Sequence, residues 1–333
     1  VHEGCESILS GKCSIAIVGS MRLNLMPVES ESARIGVESG DYQTRTFDEN
    51  ASGFGEGDGI VTLVLKSYQK AVRDKDSIHA VIKASAVTQG GKSMGLTVTN
   101  PTALKDTIAD VILKANQNVD NIGMYELHGT ATNLGDPIEM QGMTDAFRMF
   151  TGNRSFCAVG SVKSNMGHLY EASGIMGLVK AILALEHRTL PPTINLTEPN
   201  KEILFVDSPF YINTKARNWS CREGKRSALV NSLGLNGANC CVLVEEYENK
   251  TEQNKPLRQK FLALSAKSDF SLKKLAESYI FYLKYNCVDP DDLCYSAAVG
   301  RWHYDRRVFF EFNTLEGLIG LLSEYCADDA NRV

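Results

Sequence analysis

Two histidines stand in surroundings suited to chemistry. His128 closes the apolar run MYELH and leads into GTATNLGDPIE, a turn rich in Gly, Thr and Asp. His168 ends VGSVKSNMGH, after a second strand-like run and at the start of a segment of small residues. Both fall at the C-terminal ends of expected strands, where open α/β sheets place their ligands. A histidine there can donate a hydrogen bond to a developing oxyanion while staying mostly neutral near pH 7. Lys163, five residues before His168, adds a cation to the same loop. The competing reading is that each imidazole only ties down its own turn. Two similar loops weigh against it, but spacing alone does not bring them together.

Asp136 and Glu139 lie three apart across Pro137, a residue suited to the first turn of a helix. As helix N-terminal acids they would simply complement the helix dipole. As a functional pair they would hold Lys163, and spacing leaves both readings standing. The glycines Gly53, Gly55, Gly57 and Gly59 suggest a phosphate loop, but a strand-like IVTLVLK follows them rather than a helix. They are read as a tight turn that relieves backbone crowding. His2, His79, His187 and His303 have no chemical neighbours in sequence and are assigned to surface or packing.

These residues need a scaffold, and the apolar pattern describes one. Strand-like runs are expected at 15–19, 60–66, 80–87, 124–128, 156–162, 228–232 and 241–245. Helical periodicity is expected at 1–9, 103–116, 137–149 and 167–185. The alternation predicts an α/β fold. The last helix carries Ala172, Ser173, Gly174 and Gly177, although Gly costs ~1 kcal/mol against Ala in a helix. Small residues at that density predict a central helix approached closely by its neighbours. A polar run at 248–260 reads as a linker, so the chain is divided into 1–246, a linker at 247–260, and a small α/β unit at 261–333. In that unit Ser268 is the expected N-cap of a helix over 269–285.

Composition narrows the function classes. Net charge is −5 without blocks of like charge, which disfavours nucleic acid and anionic membrane as partners. No apolar run reaches the ~18 residues of a membrane span, and no leader is recognisable, so a cytoplasmic location is expected. Nine cysteines without a C-x-x-C pair predict reduced, mostly buried thiols and no metal site. Five N-x-S/T sequons, such as Asn195-Leu196-Thr197, are read as incidental. The chain opens inside a helical pattern without Met, as though cut from something longer.

Several of these segments resemble the ketosynthase domain of modular type I polyketide synthases. HGTATNLGDPIE at 128–139 is similar to the family's HGTGT-x-x-GDPIE, and GSVKSNMGH at 160–168 to its KSN-x-GH. NSLGLNGANCCVLVEE at 231–246 resembles its closing loop and last strand. FDENASGFGEGDG, LPPTINLTEPN and DSPFYINT match in order. The resemblance covers residues 1–246. It implies a thiolase-like layered α-β-α-β-α fold, N-terminally incomplete here, and a homodimer. It also implies a decarboxylative Claisen condensation of an acyl thioester with a malonyl unit. That unit rides on the phosphopantetheine arm of acyl carrier protein, with no cofactor bound directly.

By the same resemblance His128 and His168 are the catalytic pair, and Lys163 organises them. Asp136 and Glu139 are the acids that hold the lysine, which selects the functional reading of that pair. Thr130 and Thr132 bond the pantetheine arm. Leu233 and Leu235 form the oxyanion and gating loop, where phenylalanines are frequent, and Leu235 N–H is an oxyanion donor. The nucleophilic cysteine is expected a few residues upstream of Val1. Cys5 and Cys13 are not substitutes, since neither sits at an exposed elbow before a helix. This chain alone is therefore expected to be inactive. Ala131 stands where the middle glycine of HGTGT is found, and Cys241 where a histidine is frequent. Residues 261–333 resemble the small linker domain after ketosynthases, with other modules of a megasynthase as partners. The alternatives are a fatty-acid synthase condensing domain, a thiolase with Cys240 or Cys241 active, and a non-elongating scaffold that binds carrier protein.

Overall fold

The computed structural model describes residues 1–24, 37–91, 99–221, 224–248 and 260–327. Most of the expected linker, residues 249–259, lies outside the described residues. The chain divides into two compact units, Val1–Asn249 and Lys250–Val333.

The first unit opens with helix α1 (His2–Leu9), followed by β1 (Ile15–Arg22) and β2 (Gly59–Lys66). Next come α2 (Tyr68–Arg73), β3 (Ala80–Gln89), α3 (Pro101–Ala115) and β4 (Ile122–Glu126). Helix α4 (Gly135–Arg148), β5 (Cys157–Gly160), the short α5 (Lys163–Met166) and α6 (Ser173–Glu186) continue the alternation. The unit closes with β6 (Thr189–Leu190), β7 (Phe210–Ile212), β8 (Arg217–Asn218), β9 (Ser227–Leu233) and β10 (Ala238–Glu246).

Six strands form one mixed sheet in the order β3-β10-β9-β4-β5-β7. β3, β10 and β9 are antiparallel neighbours, while β9, β4, β5 and β7 run parallel. Alternate side chains go to opposite faces of a strand, and here both faces are apolar. Tyr125, Val159 and Leu229 join Ile108 of α3 and Met143 and Phe147 of α4 in one core. Met124, Ala158 and Val230 join Leu178, Ala181 and Leu185 of α6 in the other. Helix α1 packs between β3 and the antiparallel β1–β2 ribbon, whose far side presents Ile17, Met21, Ile60 and Val64 to solvent. The described residues of this unit thus stack as helix, sheet, helix, ribbon.

Helix α6 is central, as its small residues predict. A Cβ on Gly174 would lie 2.5 Å from Ser232 Oγ, and one on Gly177 3.1 Å from Glu126 Cγ. Its helical hydrogen bonding starts later than expected, at Ser173, because a short 3₁₀ turn over Tyr170–Ala172 precedes it. Helix α3 starts two residues earlier than expected: the Asn100 side chain accepts from Thr102 and Ala103 N–H, with Pro101 in the first turn.

Two expectations are corrected. The glycine-rich 53–59 segment is an extended crossing rather than a tight turn. Phe54 bridges Glu38 and Glu56 bridges His168, with neighbouring chain so close that a Cβ on Gly55 would fall 1.8 Å from Tyr42 O. The glycines are there to let three backbones meet. The nine cysteines are all free, but only Cys157 and Cys241 are fully buried; most are half-buried and Cys287 is exposed.

The second unit pairs β11 (Lys260–Ala266) antiparallel with β12 (Arg306–Phe312). Its helices are α7 (Asp269–Tyr285), α8 (Pro290–Val299) and α9 (Leu315–Ala327). Ser268 Oγ accepts from Ser271 N–H, capping α7. Leu262, Leu264, Leu272, Ala276, Phe310, Leu318 and Leu322 form its own core. No helix among the described residues is long and apolar enough to cross a membrane.

Candidate active site

Strands β4 and β5 are parallel neighbours, with Glu126 opposite Gly160. The chains leaving their carboxyl ends therefore emerge side by side, one carrying His128 and the other Lys163 and His168. The two imidazoles end 5.6 Å apart between centroids, with planes at 82°. Both line a cavity of about 880 Å³, together with Thr130, Thr132, Leu233 and Leu235.

Each imidazole is gripped on the same side of its ring. Nδ1 of His128 receives Leu233 N–H at 3.3 Å and faces Lys163 Nζ at 3.5 Å. Nδ1 of His168 receives Tyr170 N–H at 2.9 Å and lies 2.9 Å from Ser173 Oγ. Ser173 Oγ itself accepts Leu169 N–H, so its proton is free to go to the imidazole. Backbone N–H groups can only donate, which makes both Nδ1 atoms acceptors and puts the ring proton on Nε2. No protein group among the described residues bonds either Nε2. Burial first, then the Lys163 charge, push the pKa of His128 well below the usual imidazole value, and the same two causes bring His168 to about 2. The site holds two neutral N–H donors.

Lys163 is buried behind His128 and donates from Nζ to the His128 carbonyl oxygen. Burial lowers its pKa to about 8 against the opposing field of Glu139, Glu126 and Asp136. The acids act on Lys163 through their field: among the described residues neither carboxylate forms an ion pair with its ammonium. The reason is that the turn needs them more. Glu139 accepts His128 N–H and Gly129 N–H, each at 2.9 Å, and Asn231 Nδ2 at 3.3 Å. Asp136 accepts Ala131 N–H at 3.0 Å and Phe47 N–H at 2.9 Å. Gly129 and Ala131 both adopt left-handed backbone, with φ of 47° and 56°. Such a turn points its amides one way, and the two carboxylates collect them. Burial pushes the Asp136 carboxyl up to about 7.

Thr130 and Thr132 face each other at 3.5 Å between hydroxyls, and Thr132 Oγ1 accepts Gly135 N–H at the start of α4. In the closing loop the N–H turned toward an imidazole is that of Leu233; Leu235 lies on the cavity wall, half exposed. Cys240 also lines the cavity and Cys241 is buried beneath it. Burial pushes both thiols up, the opposite of what a nucleophile needs.

Several supporting residues were not anticipated. Glu126 is wholly buried, pairs with Lys180 at 2.8 Å and accepts Val162 N–H, tying β4, α5 and α6 together. An acid inside the apolar run MYELH was its only signal. Asn195 Nδ2 bridges Thr44 O and Ser164 O, each at 3.2 Å, which gives that sequon a structural purpose. No group of three or more metal-ligating side chains occurs among the described residues.

A mixed α/β sheet layered between helices, with two imidazoles and a buried lysine converging on one cavity, is the architecture of condensing enzymes of the thiolase-like class. The chain belongs to the β-ketoacyl synthase family, as a ketosynthase of the polyketide synthase kind. The N-terminal domain pattern of β-ketoacyl synthase matches residues 1–71 and the C-terminal pattern residues 79–197, together more than half of the chain. A CurL-like polyketide synthase C-terminal pattern matches residues 260–322. Polyketide synthase PksL of Bacillus subtilis (strain 168) is 35% identical over 336 residues, covering 99% of this chain and 7% of that protein. The highly reducing polyketide synthase VdtX of Byssochlamys spectabilis is 34% identical over 315 residues, 92% of this chain and 14% of that protein. Among solved structures, the ketosynthase from module 6 of the Bacillus subtilis 168 bacillaene synthase has a TM-score of 0.86 at 35% identity. The match covers 98% of this chain and 58% of that one. The oxazolomycin ketosynthase domain OzmH KS7 of Streptomyces albus JA3453 has a TM-score of 0.88 at 27% identity, with the same coverage. The chain spans under a fifth of these curated relatives and somewhat over half of these solved ketosynthase chains.

Proposed function

We propose that this chain supplies the decarboxylating half of a condensing site in a polyketide synthase. A malonyl thioester on the phosphopantetheine arm of acyl carrier protein enters the cavity past Thr130 and Thr132. Its carbon–carbon bond to the carboxylate breaks, carbon dioxide leaves, and the electron pair moves onto the thioester carbonyl. Nε2–H of His128 and Nε2–H of His168 donate to the enolate oxygen. The enolate carbon then attacks an acyl thioester held on a cysteine, and the thiolate leaves. None of the nine cysteines in this chain is assigned that role, since those near the cavity are held as thiols. The observation that carries the reading is the matched pair of imidazoles with Nδ1 saturated by donors and Nε2 directed to one cavity.

Lys163 holds the His128 carbonyl and adds positive potential behind that donor. Asp136 and Glu139 shape the turn that aims it. The partners are acyl carrier protein, neighbouring modules and a second copy of the chain, and the workplace is the cytoplasm. Residues 261–333 serve spacing and docking within the larger assembly.

The test is carbon dioxide release from malonyl carrier protein by a complete condensing enzyme carrying this chain. His128→Ala and His168→Ala should each lower it by ~100- to 1,000-fold, the usual worth of one oxyanion donor. Unchanged release in both variants would overturn the reading.

A further inference from the structure

The resemblance gives no role to Tyr170, yet its backbone and its ring both hold His168. Its φ is 43°, in the left-handed region that residues other than glycine rarely occupy. Strained backbone next to a reactive group persists only where the surroundings over-determine it. Here they do. The Tyr170 ring stacks on the His168 imidazole at 4.9 Å between centroids and 27° between planes. Its hydroxyl donates to Glu56 Oε1 at 2.9 Å, and Glu56 is itself bridged to His168 through the backbone. The Arg22 guanidinium lies 4.3 Å from the centre of the same ring. Phe54 meets the imidazole edge-on at 4.4 Å and lies 5.7 Å from the Tyr170 ring, so the three rings pack as one cluster.

We propose that Tyr170 is the positioning residue of His168, clamping the imidazole so that Nε2–H stays aimed into the cavity. Four contacts act together. The N–H of Tyr170 occupies Nδ1, and the ring fixes the plane of the imidazole about its Cβ–Cγ bond. The Glu56 and Arg22 contacts hold the ring in turn. With Phe54 packed against both rings, the imidazole cannot swing without displacing an aromatic ring. The charged and titratable groups facing this cluster are Arg22, Glu38, Glu56, Lys163 and His128, with Glu171 on the cavity wall beyond it. Burial first, then the charges of Lys163 and Arg22, oppose a proton on His168. Removing the ring admits water to the imidazole and weakens that opposition.

This proposal rests on His168 being a donor in decarboxylation. The test uses Tyr170→Gly, which removes the ring and suits the left-handed backbone. Tyr170→Phe keeps the stack and loses only the Glu56 bond. Carbon dioxide release from malonyl carrier protein is followed in the complete condensing enzyme from pH 5 to 9. Tyr170→Gly should lower kcat about 10- to 100-fold, the scale of an ångström-sized misplacement. KM should stay within about 2-fold, and a new acid limb should appear between pH 5 and 7. Tyr170→Phe should retain kcat within about 3-fold. A Tyr170→Gly enzyme with unaltered kcat and pH profile would overturn the proposal, as would equal losses in both variants. His168→Ala run alongside separates the two ideas: if it leaves release unchanged, the donor assignment has failed rather than the clamp.

Discussion

The imidazole of His128 stands nearly perpendicular to that of His168, with 5.6 Å between their centres. Two donors at that distance can share one oxygen atom between them. Each arrives on a different strand, and each is held on its Nδ1 side by N–H or O–H donors. The pair is therefore preorganised, and reaction demands little rearrangement of the groups around it.

Neutrality of the pair has a measurable sign. The folded imidazoles resist protonation, while those of the unfolded chain take protons below about pH 6.5. Stability is therefore complete above that value and falls as the pH drops. Each histidine contributes a loss approaching roughly 1.4 kcal/mol per pH unit once well below 6.5. Denaturant titrations of the intact protein and of His168→Gln at pH 7.5 and 5.5 should show the variant losing less.

Lys163 is expected to set the alkaline side. Its pKa of about 8 in the folded protein means that the ammonium is present below that pH and is lost above it. Decarboxylation should decline on a single limb centred near pH 8. Lys163→Met should have a lower plateau and no such limb. A limb unchanged in Lys163→Met would assign it to another group.

Glu139 is expected to act through the turn rather than as a charge partner of the lysine. Glu139→Gln replaces an acceptor oxygen with an NH₂ facing the N–H of His128 or Gly129. One buried donor is then unsatisfied, at a cost of about 1–3 kcal/mol. The denaturant midpoint and carbon dioxide release should fall together. Loss of activity without loss of stability would favour a purely electrostatic role.

Ala131 occupies left-handed backbone where the family pattern has glycine. That conformation costs about 1–2 kcal/mol for a residue with a Cβ. Glycine relieves it, but adds about 0.4–1 kcal/mol of unfolded-chain entropy to be lost on folding. Ala131→Gly should therefore raise stability by up to about 1.5 kcal/mol and leave decarboxylation intact. Destabilisation would mean that the methyl, fully buried, packs more favourably than the strain costs.

Gly57 tests the crossing beneath His168. A Cβ there would lie 2.1 Å from Met166 O, so Gly57→Ala must push the His168 loop aside. A displacement of about 1 Å in a reacting group can cost 100-fold. Gly57→Ala should lose activity on that scale, while Gly152→Ala, with nothing within 4 Å, should not.

Much of this was legible in the residues themselves. Apolar periodicity located the longer strands and helices because packing on a sheet with two buried faces demands it, while the short β6, β7, β8, α2 and α5 carry too few residues to show a period. Gly174 and Gly177 marked the central helix, since only residues that small admit Ser232 and Glu126 so closely. His128, Lys163 and His168 stood out because polar groups at the ends of buried strands need a purpose. What sequence could not decide was direction. Asp136 and Glu139 sit three apart whether they grip a lysine or a ring of amides, and only the left-handed turn at Gly129 and Ala131 chose the amides. The glycines at 53–59 read as a turn because local pattern cannot register a second chain passing 114 residues away from Glu56 toward Tyr170. Chemistry here was set by residue type; aim was set by contacts between segments far apart in the chain, which no local pattern encodes.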